Sequence, residues 1–429
     1  MSDFVTIAGG RTLSGTIKIS GAKNAALPLL IASLLTGEKC SYKNIPNLED
    51  IHNLLYLLEQ LGATHNHDIS DLNITVPRLI ANEASYSLVK SLRASFWVLA
   101  PLLARGSSAR VAMPGGDLIG TRGVDIHLDA LAKMGADITI KHGVVYATAL
   151  GGLRPARIEF RLPSVGATHQ VMMAASLIRG ETRIIGAARE PEVVALADML
   201  NQMGARIEGA GTSEVIINGV SELGGAAVDV IGDRIEAGTY VLAGLLCGDN
   251  LKVEGINPYF LSGFTELLDQ MGATLTINQD SLTVSKSRHL RAVSAKTDYF
   301  PGLATDFQPQ LVAALSLADG ESVLEETIYD SRFGHIPELC RLGAEIIVDQ
   351  RAIKISGVKS LSGAKVEAGD IRSAAALVLA GLVAEGETEL YEPIHLRRGY
   401  ENFAEKLNGV GARIGFMLSN PEDCLLVGC

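Results

Sequence analysis

Six places in this chain set polar or charged residues at the start of an Ala/Leu-rich apolar run: Lys23-Asn24, Arg93, Ser164 to Thr168, Asp233-Arg234-Glu236, Thr305-Asp306 and Asp370-Arg372. The start of a helix offers free backbone N–H groups and about half a positive charge. Several such starts converging on one cleft would hold phosphates and carboxylates, more so with Lys and Arg beside them. Helix capping alone accounts for the Ser, Thr and Asp. It does not account for Lys23, Arg93 or Arg372, because a cation is mildly unfavourable at that end.

A second chemistry-bearing segment is MPGGDLIGTRG at 113–123, four glycines in eleven residues carrying Asp117 and Arg122. Its composition predicts a mobile loop, which is either a lid over a site or an ordinary surface loop with a solvated Asp and Arg. Neither GxxxxGK[ST] nor GxGxxG is present, which argues against nucleotide recognition through the folds that use them.

The elements that must position these residues recur. An apolar-Gly-Ala mark appears at Leu61-Gly62-Ala63, Met134-Gly135-Ala136, Met203-Gly204-Ala205, Met271-Gly272-Ala273, Leu342-Gly343-Ala344 and Val410-Gly411-Ala412, at spacings of 73, 69, 68, 71 and 68. The apolar runs keep step with it: Asn24 to Gly37, Arg93 to Gly106, Gly166 to Gly180, Glu236 to Gly248, Asp306 to Gly320 and Arg372 to Gly386. Each unit therefore predicts a first helix that is apolar on most faces and buried, closed by a left-handed glycine. A second, amphipathic helix follows, as in Glu49 to Leu61 after Asn47 as its cap. Short strands such as Thr182 to Ile185, Leu251 to Val253, Arg206 to Glu208 and Glu345 to Val348 lie between them. The alternation gives an α/β or α+β chain with central helices and strands outside. A solenoid is the competing architecture, and closed domains are favoured because the chemistry concentrates at particular units.

Subtracting 48 acidic from 37 basic residues leaves −11 on 429 residues, which argues against general nucleic-acid or polybasic membrane binding. No apolar run reaches the roughly 20 residues that span a bilayer. The start carries Asp3 where a signal peptide would be basic, so a cytoplasmic address is expected. Five scattered cysteines without a CxxC pair fit neither a disulfide framework nor a zinc site.

Eight ordered segments resemble the UDP-N-acetylglucosamine 1-carboxyvinyltransferase family: SGAKNAALP from Ser20, LRASFWVLAPLLAR from Leu92, PGGDLIGTRGVDIHL from Pro114, SVGATHQ from Ser164, AREPEV from Ala188, DRIEAGT from Asp233, TDFQPQ from Thr305 and RRGYE from Arg397. The resemblance implies an α/β fold of two inside-out α/β barrel domains, each of three repeated βαβαββ-like units. One would span 22–231 and carry the lid 113–123; the other would join 1–21 to 232–429. It also implies transfer of the enolpyruvyl group of phosphoenolpyruvate to the 3'-hydroxyl of UDP-N-acetylglucosamine with release of phosphate, the first committed step of peptidoglycan synthesis. No metal or organic cofactor is implied, and no nucleic acid or membrane partner.

By the same resemblance the catalytic residues are Asp117, Asp306, Lys23, Arg122 and Arg398. Phosphoenolpyruvate would be held by Lys23, Asn24, Arg122, Arg332, Arg372 and Arg398. The sugar nucleotide would meet Arg93, Arg122, Gly123, Val124, Asp125, Ile126, Leu162, Pro163, Ser164, Val165, Asp306 and Ile328, with Asp306 as the base at the hydroxyl. Three positions depart from the family pattern. Asp117 stands where most members have the cysteine held to be the general acid, which also forms an adduct with phosphoenolpyruvate and is alkylated by fosfomycin. A carboxylate cannot form that thioether, so catalysis without the adduct and insensitivity to fosfomycin are expected. Free Asp, with a pKa of about 3.9, is protonated in about one molecule in a thousand at pH 7, so desolvation and the substrate's own charge must raise it. Leu162 replaces a frequent basic residue beside Arg161, and Arg397 replaces an Asp before Arg398. Two alternatives stay open: the sister family of 5-enolpyruvylshikimate 3-phosphate synthases, which shares the repeats, and an inactive paralogue that binds sugar nucleotide.

Overall fold

The computed structural model describes residues 3–66, 68–115, 120, 123–287 and 289–417. Asp117 and Arg122, with most of the Gly-rich segment, lie outside the described residues. The chain divides by contact into two compact units, one built from Gly21–Gly116 and Arg122–Ile231, the other from Met1–Ser20 and Gly232–Cys429. Each has its own hydrophobic core.

The apolar runs form the central helices. In the unit built on residues 21–231 these are Lys23–Ala32, a 3-10 stretch Arg93–Val98 that runs into Leu99–Gly106, and Val165–Ser176. In the other unit they are Arg234–Cys247, the 3-10 turn Thr305–Phe307 running into Gln308–Leu315, and Ile371–Val383. Every residue of Arg234–Cys247 is buried, Arg234 and Glu236 included. A helix with no polar stripe has no face to show to water, and this one meets neighbouring helices and the sheets around it. Contact between the helices is close: a Cβ added to Gly238 would lie 2.3 Å from Cε1 of Phe307.

The amphipathic helices are Glu49–Leu61, Asp125–Lys133 and Pro191–Gln202 in one unit and Ser262–Gln270, His335–Arg341 and Phe403–Gly409 in the other. The apolar-Gly-Ala mark proves to be their closing device. Gly62 takes φ 114°, and the following N–H, that of Ala63, reaches back to Leu58 O at 2.9 Å. A left-handed residue followed by this six-to-one hydrogen bond satisfies carbonyls that the helix end would otherwise leave bare. The same backward bond is made by Ala136, Ala205, Ala273, Ala344 and Ala412.

Two local expectations are corrected. The glycines closing the apolar runs do not cap the central helices as a class: Gly248 has φ −83°, and after Leu99–Gly106 it is Ser107, at φ 59°, that turns left-handed. Gly180, Gly320 and Gly386 do have positive φ, but they stand where the chain turns into the next strand, beyond the helix ends. Nor does Asn47 cap Glu49–Leu61; the cap position is Leu48, without a side-chain bond, and Asn47 Oδ1 lies 2.8 Å from His52 Nε2.

Among the described residues the strands make six four-stranded sheets. In the unit of residues 21–231, Ala227–Asp229 pairs parallel with Cys40–Lys43, which is antiparallel to Asp71–Thr75, and that strand to Thr64–His65. The last strand of the unit thus completes the sheet of its first repeat, which closes the ring of repeats and excludes an open solenoid. The other two sheets repeat the plan on Ser108–Ala112 with Val144–Thr148, and on Gly180–Ile185 with Glu214–Gly219.

In the second unit, Thr16–Lys18 pairs parallel with Leu251–Glu254, and Phe4–Ala8 lies antiparallel between Glu387–Tyr391 and Ile414–Met417. Two strands from residues 4–18 therefore complete sheets built from residues beyond 250. Strand faces alternate, as in Phe4–Ala8, where Val5 and Ile7 turn inward. The fold is α/β, with central helices inside and strands outside. Among the described residues no helix is long and apolar enough to cross a membrane.

Candidate functional site

The residues named by resemblance divide between the two units, and each set is described within its own. In the unit of residues 21–231, Lys23 opens a central helix whose cap position, Ala22, makes no side-chain bond. Its Nζ lies 3.0 Å from Asp50 Oδ2, and both side chains are almost wholly buried. A buried ammonium is costly to desolvate unless paired, so the partner keeps the charge at a helix end that would not otherwise favour it. Asn24 follows, half-buried.

The next central helix begins at Arg93, whose Nη2 donates to the carbonyl of Gly123 at 3.3 Å. Gly123 is exposed; Val124 is buried and sits at the cap of Asp125–Lys133. Asp125 is ion-paired with Arg161, while Leu162 stands 53% exposed beside it. The basic partner in this stretch is thus Arg161, one residue from the position the family pattern names. Ile126, Pro163 and Val165 are half-buried, and Ser164 caps Val165–Ser176 by accepting from Ala167 N at 3.3 Å.

Behind these residues lie two buried histidines. His127 Nδ1 is 2.6 Å from Gln170 Oε1, and the ring of His169 meets Trp97 edge-on at 5.2 Å. Burial pushes His127 down to about 4, with Arg93 adding to the effect against the bond to Gln170. It pushes His169 down to about 3.

The second unit brings Asp306, Arg332 and Arg372 together. Asp306 stands in the 3-10 turn that starts a central helix. Its Oδ1 accepts from Arg332 Nη2 at 2.7 Å and its Oδ2 faces Arg372 Nη2 at 3.4 Å. Burial pushes the carboxyl up, but Arg372, Arg332 and Arg234 outweigh it and hold Asp306 well below the usual carboxylate range. The side chain keeps 26% of its surface exposed. The guanidinium of Arg332 is fixed further by Thr305 Oγ1 at 2.8 Å and lies over the Tyr329 ring.

Two further helix starts lie beside this cluster. Asp233 accepts from Ile235 N and Glu236 N at 2.8 and 3.0 Å, and Asp370 accepts from Arg372 N and Ser373 N at 2.8 and 3.1 Å. The caps fix both helix ends to the residues that carry the arginines. Arg398 is half-buried in the last turn of the helix Ile394–Gly399, whereas Arg397 lies over the ring of Phe416 on the strand Ile414–Met417. Ile328 is half-buried in a turn whose backbone N–H donates to Glu326 Oε1 at 2.8 Å.

Two supporting residues, Glu326 and Tyr400, were not singled out from the sequence, and a third, Glu236, was named there without its partners. Glu326, wholly buried, accepts from Thr297, Thr305 and the N–H groups of Ile328 and Tyr329, so one carboxylate holds both the Asp306 turn and the Ile328 turn. Tyr400, in the quoted RRGYE segment, meets Arg372 Nη1 at 3.3 Å. Glu236 accepts from Lys406 Nζ at 2.6 Å and Ser20 N at 2.8 Å. Burial drives its carboxyl up to about 7 despite Lys406. Burial of the run that Glu236 opens was expected from its composition, but its partners Lys406 and Ser20, from distant parts of the chain, were not.

Asp306 is held by Arg332 and Arg372, with Arg234 acting on it as well, and two of these arginines stand at helix starts. Chemically the cluster suits a small polyanion next to a group able to accept a proton. A family model described as EPSP synthase (3-phosphoshikimate 1-carboxyvinyltransferase) matches residues 7–407. The UDP-N-acetylglucosamine 1-carboxyvinyltransferase of Trichlorobacter lovleyi is 46% identical over 412 residues, 96% of this chain and 98% of that protein. The enzyme of the same name from Rhodopseudomonas palustris is 46% identical over 423 residues, covering 96% and 99%.

Among solved structures, the enolpyruvyl transferase NikO from Streptomyces tendae is similar with TM-score 0.89 at 27% identity, over 98% of this chain and 100% of that one. An EPSP synthase from Acinetobacter baumannii shares the fold with TM-score 0.76 at 18% identity, over 97% and 100%. With 46% identity across nearly the full length of both partners, the chain belongs to the UDP-N-acetylglucosamine 1-carboxyvinyltransferase family.

Proposed function

We propose that this chain transfers the enolpyruvyl group of phosphoenolpyruvate to the 3'-hydroxyl of UDP-N-acetylglucosamine and releases phosphate, serving peptidoglycan synthesis in the cytoplasm. The observation that carries the reading is Asp306 bound to Arg332 and facing Arg372 at the start of a central helix. Without substrate the arginines keep the carboxylate charged. A polyanionic acid bound to the same arginines would draw off their field, and the proton affinity of Asp306 would rise as a base requires.

In this reading Lys23, Asn24, Arg122, Arg332, Arg372 and Arg398 hold phosphoenolpyruvate. Arg93, residues 122–126, 162–165 and Ile328 receive the sugar nucleotide. Asp117 gives a proton to the methylene carbon while Asp306 takes the hydroxyl proton and the oxygen bonds to the neighbouring carbon. Loss of phosphate with a proton from the new methyl group restores the double bond. The reaction uses no metal ion or organic cofactor. Because Asp117 cannot form a thioether, no covalent adduct arises and fosfomycin does not inactivate the enzyme.

The test is phosphate release with both substrates, beside Asp306→Asn and Asp117→Asn. The wild type is expected to release phosphate only when both are present and to keep its rate in EDTA. Each variant should lose about 100-fold or more. Release with shikimate 3-phosphate in place of the sugar nucleotide would assign the chain to the sister reaction, and no release with any acceptor would leave the inactive paralogue. Time-dependent loss of wild-type activity in fosfomycin would refute the adduct-free route, while Asp117→Cys is expected to become sensitive.

A further inference from the structure

Tyr400 is buried where side chains from the three central helices of its unit meet. Its Oη lies 3.1 Å from Thr239 Oγ1, 3.3 Å from Gln310 Nε2 and 3.3 Å from Arg372 Nη1. With the Gln310 amide nitrogen turned toward Tyr400 and Thr239, the proton inventory gives the directions. Thr239 gives its only proton to Ile235 O at 2.8 Å, so toward Tyr400 it can only accept. The Gln310 amide nitrogen and the Arg372 guanidinium can only donate. The Tyr400 hydroxyl therefore donates to Thr239 and has both lone pairs occupied, one by Gln310 and one by Arg372.

We infer that Tyr400 is a positioning residue for the proton acceptor: its hydroxyl aims Arg372 so that the other guanidinium nitrogen faces Asp306. The inference rests on the assignment of Asp306 as base. The Arg372–Asp306 approach, at 3.4 Å, is longer than the 2.7 Å of Arg332–Asp306, so Arg372 is the less tightly held of the two arginines on the carboxylate. Its second hold is on the opposite side, where Nη1 bonds to Oη at 3.3 Å and Cζ lies 5.7 Å from the centre of the Tyr400 ring. The charged groups facing Asp306 are Arg332, Arg372 and Arg234; Asp233 also acts on Arg372, and Asp370 and His335 lie close to Arg332. Of these arms Tyr400 governs Arg372.

Tyr400→Phe keeps the ring and its contact with Phe403, whose centroid is 4.7 Å away. It removes the acceptor for Arg372 Nη1. The guanidinium then turns to find another partner, its pull on Asp306 weakens, and the carboxyl gains proton affinity. The acidic limb of kcat, which reports the substrate complex, is expected to move upward by about one pH unit. KM for phosphoenolpyruvate is expected to rise about tenfold, with KM for UDP-N-acetylglucosamine unchanged. Phe403→Leu, which loosens the ring packing and leaves the hydroxyl, should lower Tm without moving the limb.

A readout independent of turnover is the titration of Asp306 in carbon-13 aspartate spectra recorded in saturating inorganic phosphate, which occupies the arginines and raises the carboxyl, its signal identified by its loss in Asp306→Asn. The midpoint in Tyr400→Phe should lie above that of the wild type. Coincident midpoints would overturn the inference. A wild type that releases no phosphate while the midpoint still moves would instead sink the functional assignment and leave the positioning role standing.

Discussion

Acid should loosen the unit of residues 21–231 well before carboxylates protonate, because two of its histidines are buried in the neutral form. His127 titrates near 4 and His169 near 3 in the folded protein, both chiefly through burial. An unfolded chain protonates its histidines near 6.5. Between these limits the unfolded state binds more protons, so stability is lost as pH falls below about 6.5. From pH 7 to 5 each histidine costs roughly 2 kcal/mol at 1.36 kcal/mol per unit, about 4 kcal/mol for the pair.

The other unit behaves differently. His335, also near 3, costs about the same 2 kcal/mol. Glu236, with its folded value raised to about 7, is destabilising when charged, so acidification through that range restores about 2 kcal/mol. The two offset. Trp97, the chain's single tryptophan, packs on His169 and reports the acid-sensitive unit. With a urea slope of about 1–3 kcal/mol per M, its fluorescence midpoint should fall by more than about 1 M between pH 7 and 5. His169→Gln should abolish about half of that fall. Equal midpoints at the two pH values would refute the reasoning.

Three further outcomes follow from named contacts. Asp50→Ala removes the carboxylate 3.0 Å from the buried Lys23 ammonium and should cost about 3–5 kcal/mol in denaturant unfolding. Gly238→Ala drives a methyl group to 2.3 Å from the Phe307 ring and should lower stability by about 1–3 kcal/mol, with a corresponding fall in Tm. Asp370→Ala deletes the cap that holds Arg372 N and Ser373 N; about 1–2 kcal/mol of stability should go, together with a higher KM for phosphoenolpyruvate.

The α/β repeats were legible because one backbone event, a left-handed turn after an amphipathic helix, demands Gly and a small residue behind it each time, as at Gly62-Ala63 and Gly204-Ala205. The charged starts of the apolar runs were legible for a related reason: Arg372 and Lys23 stand where helix electrostatics alone disfavour them. Partners supplied from distant parts of the chain were not legible. Nothing near Thr305 announces that Glu326 will hold it, or that Tyr400 will close a network with Thr239. The cap at Glu49–Leu61 misled because Asn47 is well suited to capping in isolation, yet its side chain turns to His52. Likewise, the glycines after the central helices looked like caps and instead serve the turn into the strand. Asp117 and Arg122 lie outside the described residues, so their roles rest on the functional proposal.

The strand Phe4–Ala8 sits between Glu387–Tyr391 and Ile414–Met417. On the ribosome this imposes an order of maturation. Residues 21–231 include every strand of their own three sheets, so that half is complete once its last strand, Ala227–Asp229, has emerged. The leading segment has no such option. Its neighbours are made almost 400 residues later, and at about 5–20 residues per second it must wait some 20–80 seconds as a bare β edge. Nascent chains long enough to bring Ala227–Asp229 out of the ribosome, but ending before Glu387, should therefore have one half protected from protease while Phe4–Ala8 stays open to cleavage.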